Sequence, residues 1–138
     1  MEQTYSFDDV LLVPQKSDIK SRSEVNISSK LSQHEFRLPV IASPMDTISG
    51  TRMALEMSSQ SGLAVLHRYN TIAEQVEMVS YIKDVKRNAK IATAIGMTGD
   101  YFNRAVNVYE AGARIMCIDV AHGHHSMMEV ALKKLKDA

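Results

Sequence analysis

"LAVLHRYNTIAEQVEMVSYIKDVKRNAKIATAI", residues 63–95, reads as strand, helix and strand in one continuous run. The end runs, "LAVLH" from Leu63 and "IATAI" from Ile91, have strand length and are apolar at consecutive positions. That is the pattern expected when both faces of a parallel strand are covered. Between them, Thr71 followed by Glu74 fits a capping box, in which hydroxyl and carboxylate satisfy backbone donors left free at a helix start. Ile72, Val76, Val79 and Ile82 then share one helical face.

The same alternation continues on both sides. "LPVIA" begins at Leu38 and "IMCID" at Ile115, so four apolar runs recur about every 25 residues. Phe102, Ala105, Val106 and Tyr109 share a helical face, and Gly112 follows "NVYEA" where a left-handed stop is needed. Ser126 and Glu129 fit a second capping box, Met127 and Met128 read as a core-facing stripe, and the lysines of "ALKKLKDA" as a solvated face near a helix end. Residues 1–37 differ. There "VLLVP" reads as a short strand ended by Pro14, followed by a polar stretch with a brief alternation at Val25 and Ile27, together an N-terminal extension packed on the body. No low-complexity segment or Gly/Ser linker interrupts the chain.

Four βα units over residues 38–138 suit either a small doubly wound sheet or the amino-terminal half of an eightfold barrel, whose full length is about 250 residues. Periodicity does not choose between them. No G-x-G-x-x-G follows any of the runs, which removes the usual dinucleotide fingerprint. Polar residues gather where the runs stop: Ser43 and Asp46, His67 and Arg68, Thr98, then Asp119 and His122. In either architecture they share one rim, at the carboxyl ends of the strands where such folds bind ligands.

Composition narrows the partners. The 138 residues suit one domain, and 16 basic residues balance 16 acidic ones, so no net field favours nucleic acid or an anionic membrane. No apolar stretch approaches the ~20 residues of a spanning helix. The amino terminus lacks the basic start and apolar run of a secretory signal, and the single cysteine, Cys117, allows no internal disulfide. A soluble cytoplasmic protein with a small-molecule or protein partner is expected.

The stretches "FDDVLLVPQKSDIKSRSEV", "LPVIASPMDT", "LAVLHRYNTIAEQ", "AIGMTGDYF" and "CIDVAHGH" resemble, in order and spacing, the IMP dehydrogenase and GMP reductase family of purine-nucleotide oxidoreductases. The resemblance implies a (β/α)8 TIM barrel, of which this chain supplies the first four βα units. It implies that Ser43 and Met45 lie against a bound purine nucleotide, IMP or GMP, and that Asp119, Val120 and Ala121 lie where the family binds NAD or NADP(H). Arg68 occupies a position where reductases often have lysine near the cofactor. Ser21 and Arg22 match a cofactor-contacting pair that GMP reductases can supply from a neighbouring subunit. A tetramer and a monovalent cation are implied for the complete enzyme.

The family's chemistry is hydride transfer at purine carbon 2 through a cysteine adduct. That cysteine sits in a glycine-rich loop of the second half-barrel, to which no stretch of this chain corresponds, so this chain contains no catalytic residue and alone is expected to be inactive. Cys117, inside an apolar run, reads as an inert thiol. "HGHH" reads as a polar rim and helix entry, with no metal site.

Plainer readings stand beside these. Asp119 can simply cap a turn, Ser43 and Met45 can be a turn serine and a core methionine, and Arg22 an ordinary exposed arginine. Within the family, "ASPMDT" and "AHGH" lean to IMP dehydrogenase, converting IMP to XMP with NAD in guanine nucleotide biosynthesis. "KSRSEV" and "DVA" suit GMP reductase, converting GMP to IMP with NADPH, and the direct passage "IKDVKRNAKIATAIG", where most dehydrogenases insert a regulatory module, suits a reductase or a dehydrogenase lacking that insert. The dehydrogenase is the reading adopted, with the reductase as the alternative. A non-catalytic half-barrel that binds another chain is the rival from a different class, since two open sheet edges invite pairing with the missing carboxyl-terminal half or a second copy.

Overall fold

The computed structural model describes residues 2–138. Two short antiparallel strands, β1 (Ser29–Leu31) and β2 (His34–Phe36), precede a sheet of four parallel strands, β3 (Ile41–Ala42), β4 (Leu63–Leu66), β5 (Ala92–Ile95) and β6 (Ile115–Ile118). Each parallel strand is followed by a helix: α1 (Thr51–Ser59), α2 (Ile72–Val85), α3 (Tyr101–Ala111) and α4 (Ser126–Lys136). The strands pair in chain order, with Ile41 beside Leu63, Val65 beside Ala92 and Ala92 beside Ile115. A doubly wound sheet reverses its order at a switch point. This sheet has no reversal, which is compatible with a partial (β/α)8 barrel.

Both faces of the central strands β4 and β5 are covered, which is why their runs are apolar at successive positions, while β3 and β6 are only partly buried. Ala64, Leu66 and Ile91 pack with Ala54, Val79, Ile82 and Val108 of the helices. On the opposite face Leu63, Val65, Ala92 and Ala94 pack with Phe36, and with the half-buried Ile115 and Cys117. Phe36 arrives from β2, and Lys90, just before β5, lies 4.6 Å over its ring while donating to the Glu35 carbonyl. The hairpin therefore sits at the amino ends of the strands, away from the rim.

The local signals within residues 63–95 form as read. The Thr71 hydroxyl accepts from the Glu74 N–H at 3.2 Å, and the Glu74 carboxylate accepts from the Thr71 N–H at 2.7 Å. Helix α3 stops at Gly112, whose φ of +126° excludes a side chain, and an added Cβ would meet the Lys83 side chain at 2.8 Å. Thr71→Ala is expected to cost about 1 kcal/mol of stability, read from the urea midpoint. The Thr71 backbone N–H, and then its hydroxyl, hold the Glu74 carboxyl below its ordinary value. Such a depressed folded pKa contributes stability above the unfolded value and loses it as pH falls through the folded one. The gap between wild type and variant should accordingly narrow in acid.

Other expectations need correction. "VLLVP" is not a strand: residues 10–14 have no pairing partner, and the extension before the hairpin is not packed on the body, with Phe7, Leu11 and Leu12 at 98%, 94% and 96% exposure. A strand of that length is stable only against a neighbour, and the described residues offer it none. The second capping box does not form. His125 caps α4 instead, its Nδ1 accepting from the Met127 N–H at 3.1 Å, and Glu129 pairs with Lys133. Met127 is exposed and Met128 half-buried, while Ala131 is the residue α4 buries. On α3 the buried stripe is Arg104, Ala105 and Val108, with Tyr109 exposed. Among the described residues no helix is long and apolar enough to cross a membrane.

Candidate functional site

The carboxyl ends of the parallel strands carry the rim. After β3 the chain makes a compact turn: Met45 N–H donates to the Ser43 carbonyl at 2.8 Å, and Ser49 N–H to the Met45 carbonyl at 2.8 Å. The buried Ser49 hydroxyl also donates to the Ser43 carbonyl, and the His67 N–H donates to the Ser49 carbonyl at 3.2 Å. Ser49 thus ties the end of β3 to the end of β4. With their backbone so held, Ser43 and Met45 present exposed side chains, Met45 at 48%, and the core-methionine reading does not apply.

Arg68 and Asp119 come together although 51 residues separate them. Arg68 Nε donates to Asp119 Oδ2 at 3.2 Å, and Nη2 donates to the Asp119 carbonyl at 3.1 Å. The Asp119 N–H donates in turn to the Ile95 carbonyl at 2.8 Å, so the carboxylate starts from a backbone fixed against β5. Both side chains are about one-third exposed, which keeps the pair's contribution to stability at roughly 1 kcal/mol or less. Its effect is to orient. Among the described residues Asp119 Oδ1 has no hydrogen-bond partner, and Val120 and Ala121 continue from it into a loop.

Beside Arg68, His67 Nδ1 is buried without a hydrogen-bond partner. An unpaired buried nitrogen is costly, and among the described residues no donor or acceptor meets this one. Cys117 lies one strand turn below Asp119 on the face that carries Ala92 and Ala94. Burial, and then the Asp119 carboxylate, push its thiol pKa up, which disfavours the thiolate a nucleophile needs.

Ser21 and Arg22, the pair that the resemblance assigns to a neighbouring subunit's cofactor, lie in the arm and not at this chain's own rim. Ser21 caps a single 3-10 turn at Arg22–Glu24 in the exposed arm, accepting from the Ser23 N–H at 3.3 Å. Among the described residues neither Ser21 nor Arg22 bonds to a rim residue. His122 stacks on His124 at 6.5 Å, and His125 serves the helix cap.

The sequence reading passed over Ser49, Gln75 and Arg104. Gln75 and Arg104 are buried polar residues on helix faces otherwise committed to the core. A signal was present, since Gln75 falls on the same stripe as Ile72, Val79 and Ile82, where a polar residue needs a partner.

Comparison with known proteins places these features in context. Residues 4–138 match the model of the IMP dehydrogenase / GMP reductase domain. The chain is 27% identical to a GMP reductase of Bacillus cereus and 28% to one of Clostridium acetobutylicum, each over 139 aligned positions covering 99% of this chain and 41% of the relative. It is 42% identical to a GMP reductase of Leishmania donovani over 79 residues, 56% of this chain and 16% of the relative. The chain therefore spans well under half the length of these relatives.

Proposed function

Because the chain belongs to the IMP dehydrogenase / GMP reductase family, we propose that it is the amino-terminal part of a GMP reductase, working in purine metabolism on GMP with NADPH. The names of the relatives carry this reading over the dehydrogenase that the residues "ASPMDT" and "AHGH" favoured. The short connection from Val85 at the end of α2 to Ala92 at the start of β5 agrees with it, since it leaves no room for an inserted module.

The rim fits a purine nucleotide and a nicotinamide in its donor set. Asp119 Oδ1 can accept from a carboxamide N–H. Ser43 and Met45 offer a hydroxyl and a polarisable apolar surface for a flat purine. When bound, the reduced nicotinamide supplies hydride to purine carbon 2. This chain's part is to hold and orient the two rings. Arg68 fixes the Asp119 carboxylate, and the Ser49 latch fixes the strand end that carries Ser43. The thiolate nucleophile must come from the second half of the barrel, because Cys117 is half-buried with its pKa raised.

Co-expression with a carboxyl-terminal segment that carries the glycine-rich cysteine loop tests this. GMP-dependent oxidation of NADPH, releasing ammonia and IMP, is expected from the pair and not from the chain alone. IMP-dependent reduction of NAD without any GMP reaction would instead return the chain to the dehydrogenases.

Among the described residues, strands β3 and β6 are the edges of the sheet, each paired on one side only. Their unpaired backbone groups are a template for another chain. The isolated chain is expected to self-associate with rising concentration in light scattering, or to take up its carboxyl-terminal partner. A concentration-independent monomer would argue against an open half-barrel.

A further inference from the structure

Behind the rim, α2 and α3 bury a polar cluster where apolar side chains would pack more cheaply. Arg104 is 6% exposed and Gln75 fully buried. Gln75 Nε2 donates to the His67 carbonyl at 2.9 Å and to the Ala94 carbonyl at 3.0 Å, stapling the end of β4 to the end of β5. Its Oε1 accepts from Arg104 Nη1 at 3.1 Å. Arg104 Nη2 donates to the Asn70 carbonyl and to Asp100 Oδ2, both at 2.9 Å, and Nη1 reaches Asn70 Oδ1 at 3.3 Å.

One guanidinium therefore serves four acceptors on a loop, a helix and a helix start. Only arginine offers enough donors in a rigid fork to do this. The segment His67–Asn70 is clamped at both ends, by Gln75 at the His67 carbonyl and by Arg104 at Asn70. Arg68 lies between the two clamps, and its side chain leaves the segment for Asp119. Asp119 is tied to the same strand end through the Ile95 carbonyl.

We propose that Arg104, acting through Gln75 and Asn70, is a positioning residue that holds Arg68 against Asp119. The proposal rests on the reading of that rim as the nucleotide and cofactor site, and it extends the site to a residue that touches neither ligand. An apolar residue in place of Arg104 would leave Gln75 Oε1 and the Asn70 carbonyl without a donor, and the segment would be free to move.

Nitrogen-15 NMR of arginine side chains tests the proposal on the whole chain, with the Arg68 Nε–H signal assigned by its loss in Arg68→Lys. In Arg104→Met, exchange of the Arg68 Nε–H with water is expected to rise about tenfold or more, because the donor spends more time off Asp119. Arg104→Lys keeps the cation but cannot reach all four acceptors, and should behave similarly. Asp100→Asn sits at an exposed position and should raise exchange about threefold; it decides the matter if the Arg104 variants do not fold. A merely structural role would lower the unfolding midpoint and leave Arg68 exchange at the wild-type rate in folded molecules, which overturns the proposal. A parallel NADPH titration keeps the two readings apart. Faster Arg68 exchange, where the barrel completed by its carboxyl-terminal segment binds no NADPH, supports the positioning role and sinks the ligand-site reading, whereas NADPH binding by that barrel with unchanged Arg68 exchange does the reverse.

Discussion

Asp119→Ala, in a barrel completed by its carboxyl-terminal segment, is expected to lose about 2–4 kcal/mol of transition-state stabilisation, a fall of roughly 30- to 1000-fold in kcat/KM. The carboxylate stands at the end of β6 on a backbone held by the Ile95 carbonyl, and one oxygen is taken by Arg68 while the other has no hydrogen-bond partner among the described residues. A polar group delivered on a rigid element is where small displacements cost rate. Folding should survive, because the side chain is about one-third exposed and its ion pair contributes little to stability. If Asp119 is only a turn residue, the opposite pattern holds: about 1 kcal/mol lost from stability and activity per folded molecule unchanged. Turnover and the unfolding midpoint, measured on one preparation, separate the two. Full activity in the variant would remove Asp119 from the site.

Leu66→Ala is expected to cost about 3 kcal/mol of folding stability and to lower Tm by roughly 10 °C in the 138-residue chain. Leu66 is fully buried on the helix side of β4, in the cluster with Val79, Ile82 and Val108. Removing three carbons there leaves a cavity that flanking strands and helices cannot fill by small shifts. A domain this small has only about 5–15 kcal/mol in total, so the loss is a large share. Leu11→Ala is the control. That leucine is 94% exposed, and its substitution should fall within about 0.5 kcal/mol of neutral. A Leu66 variant that melts with the wild type, or a Leu11 variant that loses as much as Leu66→Ala, would contradict this division between core and arm.

The features legible along the chain are those governed by near neighbours in sequence. The capping box at Thr71 and Glu74 is a contact across three residues, and Gly112 ends α3 because its own φ is positive. Strand runs such as "LAVL" were legible because burial on both faces leaves no polar position. Where a local signal competed with an alternative, it failed. Ser126 and Glu129 suited a cap, but the preceding His125 offers an acceptor to the same first turn, and Glu129 is drawn to Lys133.

The amino-terminal arm marks a second limit. "VLLVP" has the composition of a strand, and composition states only what a segment would do beside an edge. Residues 10–14 have no such edge among the described residues, and so remain irregular and exposed.

From the sequence alone came the βα alternation, the rim on which Ser43, Arg68 and Asp119 stand, and the family resemblance, all readable from spacing and short motifs. Only the tertiary structure decided the uninterrupted strand order, the union of Arg68 with Asp119, and the Gln75–Arg104 cluster beneath them. The reason is physical: a helix cap or an apolar stripe is set by residues three or four apart, whereas the partner of a buried polar group is chosen by packing. Arg104 finds Asn70 and Gln75, 34 and 29 residues away, only after α2 and α3 have docked on the same sheet.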